Sequence, residues 1–370
     1  MILKKSLKFP SAKTDSVKAK RQSDMAPTHV QSKDDQERAR DQIVKGSREG
    51  RKTYAFDELH NSEIPAQWWF QHSSEGLVLF IVFYTQACRW SRCLACNLPS
   101  KCSEFHVTFS SIMQQVNYVF DLPEVQQQKN RIRKVIVSNN GSVLDEATFS
   151  SAAFIYFMAK VNIHFPELEV VSIETRPEYV DEAELEFISR TIEEGKTPTT
   201  CEIAIGMEAF DDHIRDGILM KGLDLKKVDN MCALMKPYGF QLKVYVMQKP
   251  VPGMSNAEAV EDVKKCIEYL HGISERHGIQ VNMHLNPTYV SVGTDLEKAF
   301  RLGQYSPPNL DDVVEAVMHA KGRDGLSVFV GLSDEGLAVP GGEVVGKDDS
   351  KIVDRINKFN ATQLFDSLRA

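Results

Sequence analysis

The sequence predicts an α/β fold, a partial (β/α)6-type, TIM-like barrel of parallel strands with outer helices, from three observations. Short runs rich in β-branched and aromatic residues recur at 77–84, 134–138, 168–174, 201–208, 241–247, 280–285 and 326–332. Segments of helical length separate them, as parallel strands joined by crossover helices require. Polar or ionisable residues stand at the C-terminal end of nearly every run, which in a barrel is the site-building rim.

Each element has a local reason. The run 77–84, Leu-Val-Leu-Phe-Ile-Val-Phe-Tyr, is apolar throughout, as a strand covered on both faces needs. Helices are expected at 148–161, 181–194, 224–237, 256–277 and 309–321. Asp224 and Ser255 suit N-cap positions, because their side-chain oxygens accept from first-turn N–H groups that have no helical partner, and Gly239 stands where the third helix should stop. A doubly wound open sheet is the competing arrangement, and periodicity alone does not separate the two. Neither G-x-G-x-x-G nor G-x-x-x-x-G-K-[ST] occurs, so the phosphate-cradling forms of the open sheet lose their usual support.

The chain has 370 residues, 42% apolar and 26% charged, which is a globular rather than a disordered or fibrous composition. No apolar run approaches the roughly 18–20 residues of a membrane-spanning helix, so no membrane association is expected. The net charge of −7 carries no global signature of nucleic-acid binding. Its distribution is uneven: residues 1–50 hold 12 Lys/Arg against 7 Asp/Glu, leaving 32 against 44 for the rest. That stretch is poor in large apolar residues and is expected to be a basic N-terminal arm, disordered or loosely helical. Residues 51–75 form an N-terminal extension, 76–300 the core barrel, and 301–370 a C-terminal extension completing the core.

Cys88, Cys93, Cys96 and Cys102 fall in one short segment, whereas Cys201, Cys232 and Cys266 are scattered. Tight C-x-x-C spacing without an export signal points to a metal or cluster site in a reducing compartment, hence a cytoplasmic location, rather than to disulfides. Three thiolates on a loop after the first run can hold three corners of a [4Fe-4S] cluster and leave one iron open. The alternative counts Cys102 as a fourth ligand and gives a closed, structural zinc site. Further strand ends carry Asn139-Asn140-Gly141-Ser142, Glu174-Thr175-Arg176-Pro177, Gly206-Met207-Glu208 and Asn286-Pro287. Lys243, Tyr245 and Lys249 repeat with period two, which puts all three on one strand face. The histidines lack metal-ligand spacing, and only His284 is a rim candidate.

A three-cysteine loop after the first strand of a βα barrel resembles the radical S-adenosylmethionine (SAM) superfamily. Glu174-Thr-Arg176-Pro177-Glu178-Tyr179 and Ile205-Gly206-Met207-Glu208, with Lys221-Gly222 downstream, resemble its MiaB/NifB/elongator-type branch. The segments 138–145 and 243–250, with Gly293-Thr294 and Tyr305-Ser-Pro-Pro308, are most similar to the group around the archaeosine synthase radical SAM subunit. The resemblance covers about residues 75–340. Two features depart from it: the first cysteine gap is four residues instead of three, and Ala95 stands where an aromatic usually precedes the last cysteine. Trp90 is expected to supply that aromatic cover.

The resemblance implies two cofactors, a [4Fe-4S] cluster held by Cys88, Cys93 and Cys96, and SAM, which is cleaved reductively to a 5′-deoxyadenosyl radical. It implies that Asn140, Gly141 and Ser142 receive the SAM amino group and that Glu174 holds the ribose hydroxyls. Glu174 could equally pair with Arg176, itself a cofactor-binding candidate. Glu208 and Lys221 match positions that meet the ribose and carboxylate. Lys243 and Tyr245 are the catalytic candidates if their face points inward. The implied substrate is a modified nucleoside in tRNA, and the implied partners are a flavodoxin- or ferredoxin-type reductant and tRNA or a tRNA-modifying protein. A small-molecule or peptide substrate is the rival enzymatic reading, and a zinc-stabilised scaffold the non-enzymatic one.

Overall fold

The computed structural model describes residues 31–369. In chain order it comprises α1 (Lys33–Glu49), β1 (Gln67–Ser73), β2 (Gly76–Val82), α2 (Phe109–Asp121), α3 (Pro123–Gln128), β3 (Ile132–Ser138), α4 (Ser151–His164), β4 (Val170–Thr175), α5 (Glu182–Glu194) and β5 (Thr200–Glu208). There follow α6 (Leu225–Met235), β6 (Gln241–Gln248), α7 (Asn256–His277), β7 (Val281–Pro287), α8 (Asp295–Arg301), α9 (Leu310–Met318), β8 (Leu326–Val330) and α10 (Ser350–Thr362). The strands form one sheet in the order β1 to β8, with β2 to β8 parallel. A doubly wound sheet reverses strand order at a switch point, and none exists here. Because β8 does not pair with β1, the barrel is partial.

The alternation of side chains divides the sheet into two chemically different faces. Leu79, Val135, Ile173, Ile203, Val244 and Met283 face outward into the main core beneath the helices. The inner face carries Lys134, Ser172, Glu202, Lys243 and His284, all buried. Lys134 Nζ reaches both oxygens of Glu75, at 2.8 and 2.9 Å, and Glu202 Oε2 at 2.7 Å. Glu202 Oε1 also accepts from Ser172 Oγ at 2.7 Å. Lys134 and Glu202 are thus paired and hydrogen-bonded, the condition for burying their charges.

The helix caps behave as expected. Asp224 and Ser255 cap α6 and α7, the latter with a full capping box through Glu258, and Gly239 is left-handed after the turn that ends α6. Two segments differ from expectation. β1 is an antiparallel edge strand hairpinned to β2, with Trp69 stacked on Phe80 at 4.3 Å between ring centroids. Of the two expectations for the arm, the helical one describes 33–49, where α1 is a regular rather than a loose helix with a Ser32–Asp35 capping box. Three of its few small or apolar residues, Ala39, Ile43 and Gly46, share one buried face, so the helix is held by docking even though its composition is polar. The rest of the expected arm, residues 1–30, lies outside the described residues.

α10 spans the gap between the two ends of the sheet, touching both β1 and β8. Its Asn360 side chain accepts from Val330 N and donates to Val330 O, each at 2.9 Å, and Gln363 does the same for Val328 at 2.9 and 2.7 Å. Among the described residues no helix is long and apolar enough to cross a membrane.

Candidate active site

Beyond β2 the chain leaves the sheet at its C-terminal rim and forms an irregular loop bearing Cys88, Cys93 and Cys96, all partly buried. Trp90, inside the long first gap, pins this loop. Its Nε1 donates to Met220 O at 2.7 Å, and its ring lies between the guanidiniums of Arg92 (4.4 Å) and Arg176 (4.9 Å). The far end of the loop is tied down by Asn97, which donates to the carbonyls of Val292 and Leu337 at 3.2 and 3.1 Å.

Cys102 is fully buried, and its thiol is directed to the backbone oxygens of Leu98 and Asn139, both at 3.8 Å. Among the described residues no three His, Cys, Asp or Glu side chains converge as a single metal ion would require. A zinc ion needs its sulfurs within about 2.3 Å, whereas an iron–sulfur cluster takes one thiolate at each corner of a much larger body.

The turn after β3 lies directly against Cys88. A Cβ at Gly141 would sit 3.3 Å from Cys88 Cα, a tight contact that would push the two backbones apart by a few tenths of an ångström, so glycine favours this close approach. Asn140 adopts a left-handed φ of 56°, and the Gly141 amide donates to Asn139 Oδ1 at 3.2 Å. Ser142 Oγ is buried with no hydrogen-bond partner in the protein. Cys88 and residues 140–142 are thus brought together.

Burial pushes the Cys93 thiol up and the Cys96 thiol to about 12. Lys221 and Arg176 oppose this at Cys93, and Lys52 opposes it at Cys96. Tyr54 OH, also buried and without a partner, is pushed up by burial and by Cys96. Soft donors on one loop, cations around them and unpartnered polar atoms beside them suit an anionic thiolate-bound cluster, whose iron would take the place of the thiol protons and whose charge would answer the cations.

Glu208 and Lys221 are paired at 2.7 Å on the same side of the site, both largely buried. The pair depends on a bulge at 206–208, where Glu208 takes a φ of 72°. It also depends on Gly206, since a Cβ there would lie 2.2 Å from Glu208 Oε1 and 2.5 Å from Lys221 Nζ. Burial disfavours charge on Lys221, but Glu208 and then Cys93 outweigh it and hold the ammonium above its ordinary pKa. Arg176 does not pair with Glu174. It binds Glu178 and donates to the carbonyls of Lys221 and Gly222 at 3.1 and 3.0 Å, locking the loop after β5 to the end of β4.

Deeper in the barrel, Tyr245 OH donates to Glu174 Oε1 and its ring lies 5.0 Å from that of His284. Burial raises the Glu174 carboxyl, and burial followed by the Lys243 charge drives His284 well below its ordinary value, so its ring is neutral. Lys243 is buried over the Tyr245 ring at 5.1 Å, with its pKa lowered by burial and then by Lys134. Lys249 does not join this face. β6 ends at Gln248, Lys249 turns to a φ of 61°, and its Nζ goes to Asn256 Oδ1 at 2.7 Å and Ser306 Oγ at 3.2 Å. Glu335, which no sequence pattern singled out, is pushed up to about 7 by burial and by the facing charge of Glu174.

No family model matches the chain. Curated relatives match its central region. An uncharacterized protein of Methanocaldococcus jannaschii is 28% identical over 70% of this chain and 69% of its own length. Archaeosine synthase subunit beta of Methanosarcina acetivorans is 26% identical over 66% of each chain, and that of Thermococcus kodakarensis 24% identical over 66% of this chain and 72% of its own. The chain is similar to archaeosine synthase subunit beta. The resemblance drawn from the motifs is thereby borne out, for a match that spans about two thirds of the length of these proteins. Solved structures of similar fold include queuine lyase from Clostridium spiroforme bound to SAM and queuine, at 13% identity and TM-score 0.45 over 71% of this chain and 94% of that one. Another is the radical SAM methyltransferase TsrM from Kitasatospora setae with cobalamin and a [4Fe-4S] cluster, at 14% and 0.40 over 60% and 36%.

Proposed function

We propose that this protein is a radical SAM enzyme that acts on a modified nucleoside in tRNA. The observation that carries the chemistry is the C-x4-C-x2-C loop at the rim of a partial barrel, packed on the Asn140–Ser142 turn and ringed by Lys52, Arg176 and Lys221. The nucleoside part rests on the archaeosine synthase relatives. When bound, the cluster and SAM supply reductive cleavage of a sulfonium C–S bond, which the protein alone cannot perform.

The protein's own residues bind, orient and shield. Cys88, Cys93 and Cys96 ligate the cluster. Gly141 admits SAM close to the backbone, with Asn140 and the unpartnered Ser142 hydroxyl offering hydrogen bonds to its amino group. Glu174, oriented by Tyr245, receives ribose hydroxyls, and the Glu208–Lys221 pair meets the ribose and carboxylate. Arg176 contributes by fixing the loop that carries Lys221. Lys243 and Tyr245 form the floor on which substrate rests. Core residues 76–300 and the strand added from 301–370 work as one unit in the cytoplasm, with a flavodoxin- or ferredoxin-type reductant and a tRNA-modifying partner.

Anaerobic reconstitution with iron and sulfide, followed by dithionite and SAM, tests the reading by chromatography for 5′-deoxyadenosine. The expected result is 5′-deoxyadenosine from wild type and C102S but not from C88S, C93S or C96S. A colourless zinc protein that leaves SAM intact would refute it. Salt-dependent tRNA binding tests the substrate class, and its absence at low ionic strength favours a small substrate.

A further inference from the structure

The segment that follows α1 reaches the cysteine loop from outside the barrel and outside the region of motif resemblance. Lys52 Nζ donates to three carbonyl oxygens of that loop: Cys93, Leu94 (3.1 Å) and Cys96 (2.8 Å). An ammonium has three N–H groups, so its donor capacity is filled by one turn of backbone.

The approach is built in on both sides. In α1, a Cβ at Gly46 would lie 2.3 Å from Trp90 O, and one at the capping Gly50 2.8 Å from Arg92 O. Glu49 pairs with Arg92 at 2.6 Å, so helix and loop are joined next to the clamp. On the other side, Thr53 N donates to Gly293 O at 3.0 Å and Arg51 pairs with Asp295 at 2.6 Å. Lys52 is therefore delivered to the loop by fixed backbone.

We propose that Lys52 is a positioning residue for the cysteine loop, acting through the carbonyls of Cys93, Leu94 and Cys96 to hold the loop in its ligating shape. The inference rests on the cluster reading above. Its ammonium hydrogen-bonds only to neutral carbonyls, and Asp295, the carboxylate that acts on it, is shared with Arg51, so an anionic cluster in the loop would supply further counter-charge. A cation fixed beside a cluster also stabilises the form that has gained an electron, so Lys52 raises the cluster's reduction potential.

Two measurements on the full chain test this with K52M and K52R, after circular dichroism shows both to be folded. In the apo protein, alkylation of Cys93 and Cys96 by iodoacetamide is followed across pH and expressed per thiolate, because loss of Lys52 also disfavours the Cys96 thiolate. On that scale it should accelerate in K52M by at least about tenfold, the change expected when charge-assisted hydrogen bonds are removed. K52R, which keeps charge and donors, should stay near wild type. In reconstituted protein, the midpoint followed by EPR should fall in K52M, a tenfold change in the reduction equilibrium being about 59 mV for one electron. Equal alkylation rates together with an unchanged midpoint in K52M would overturn the proposal. A wild type that takes up no cluster would sink the radical SAM reading instead, and alkylation alone would then decide the clamp.

Discussion

Replacing Lys134 with methionine removes the ammonium that bonds the carboxylates of Glu75 and Glu202 and leaves both without their hydrogen-bonded cation. Lys134 and Glu202 side chains are each 1% exposed, whereas Glu75 is 30% exposed. Breaking a buried pair by removing one partner costs about 3–5 kcal/mol. Water relaxes part of the Glu75 share, so the lower end, about 3 kcal/mol, is expected. At roughly 2–4 °C per kcal/mol this lowers the melting temperature by about 6–12 °C. Urea unfolding and calorimetry at neutral pH read the change directly. A double variant K134M/E202L should recover most of it, because an apolar pair of similar volume replaces a buried ion pair at little cost. Burial alone would raise the Glu202 carboxyl, but Lys134 and then Lys243 outweigh it and hold the group below its ordinary value. A depressed carboxyl contributes stability that is present above its unfolded pKa and is lost as pH falls through the folded one. Wild type should therefore lose stability on acidification more steeply than K134M. A loss below about 1 kcal/mol in K134M, the scale of an exposed pair, would refute the reasoning.

G141A should cut iron uptake on reconstitution several-fold while changing the urea midpoint little, because the added methyl presses on Cys88 Cα at 3.3 Å rather than on the core. Y245F removes the hydroxyl that donates to Glu174 and should destabilise the fold by about 1–2 kcal/mol in urea titrations. Glu335, ordinarily near 4.5 and raised to about 7, favours its neutral form in the fold, so its contribution to stability should decline between those two pH values. The variant E335Q should flatten that slope in urea midpoints measured across the interval.

The parallel strands were legible because their outward residues are uniformly apolar while the rim residues are polar, so each run announces both its face and its end. β1 was not, since Gln67 to Ser73 is half-buried along nearly its whole length and shows no clean alternation. α1 was hidden by averaging: Ala39, Ile43 and Gly46 are few, but they fall on one face. Lys249 was misassigned because period-two reasoning assumes that a strand continues, and β6 stops one residue earlier. The cysteine loop was legible from spacing alone. The residues that support it were not, since Lys52 and Tyr54 act from a distant segment and Glu335 follows the last strand in an irregular stretch.

The two carboxamides of α10 bear on how the molecule behaves among its own copies. A strand at the end of a sheet is a template on which any extended chain can add, and β8 is such a strand. Asn360 and Gln363 occupy the N–H and C=O groups of Val328 and Val330 with side-chain amides, which satisfy the ladder but cannot extend it. Sheet-to-sheet polymerisation through that side is blocked for as long as α10 stays docked. Truncation before α10 would expose the template and turn that edge into a seed for strand addition.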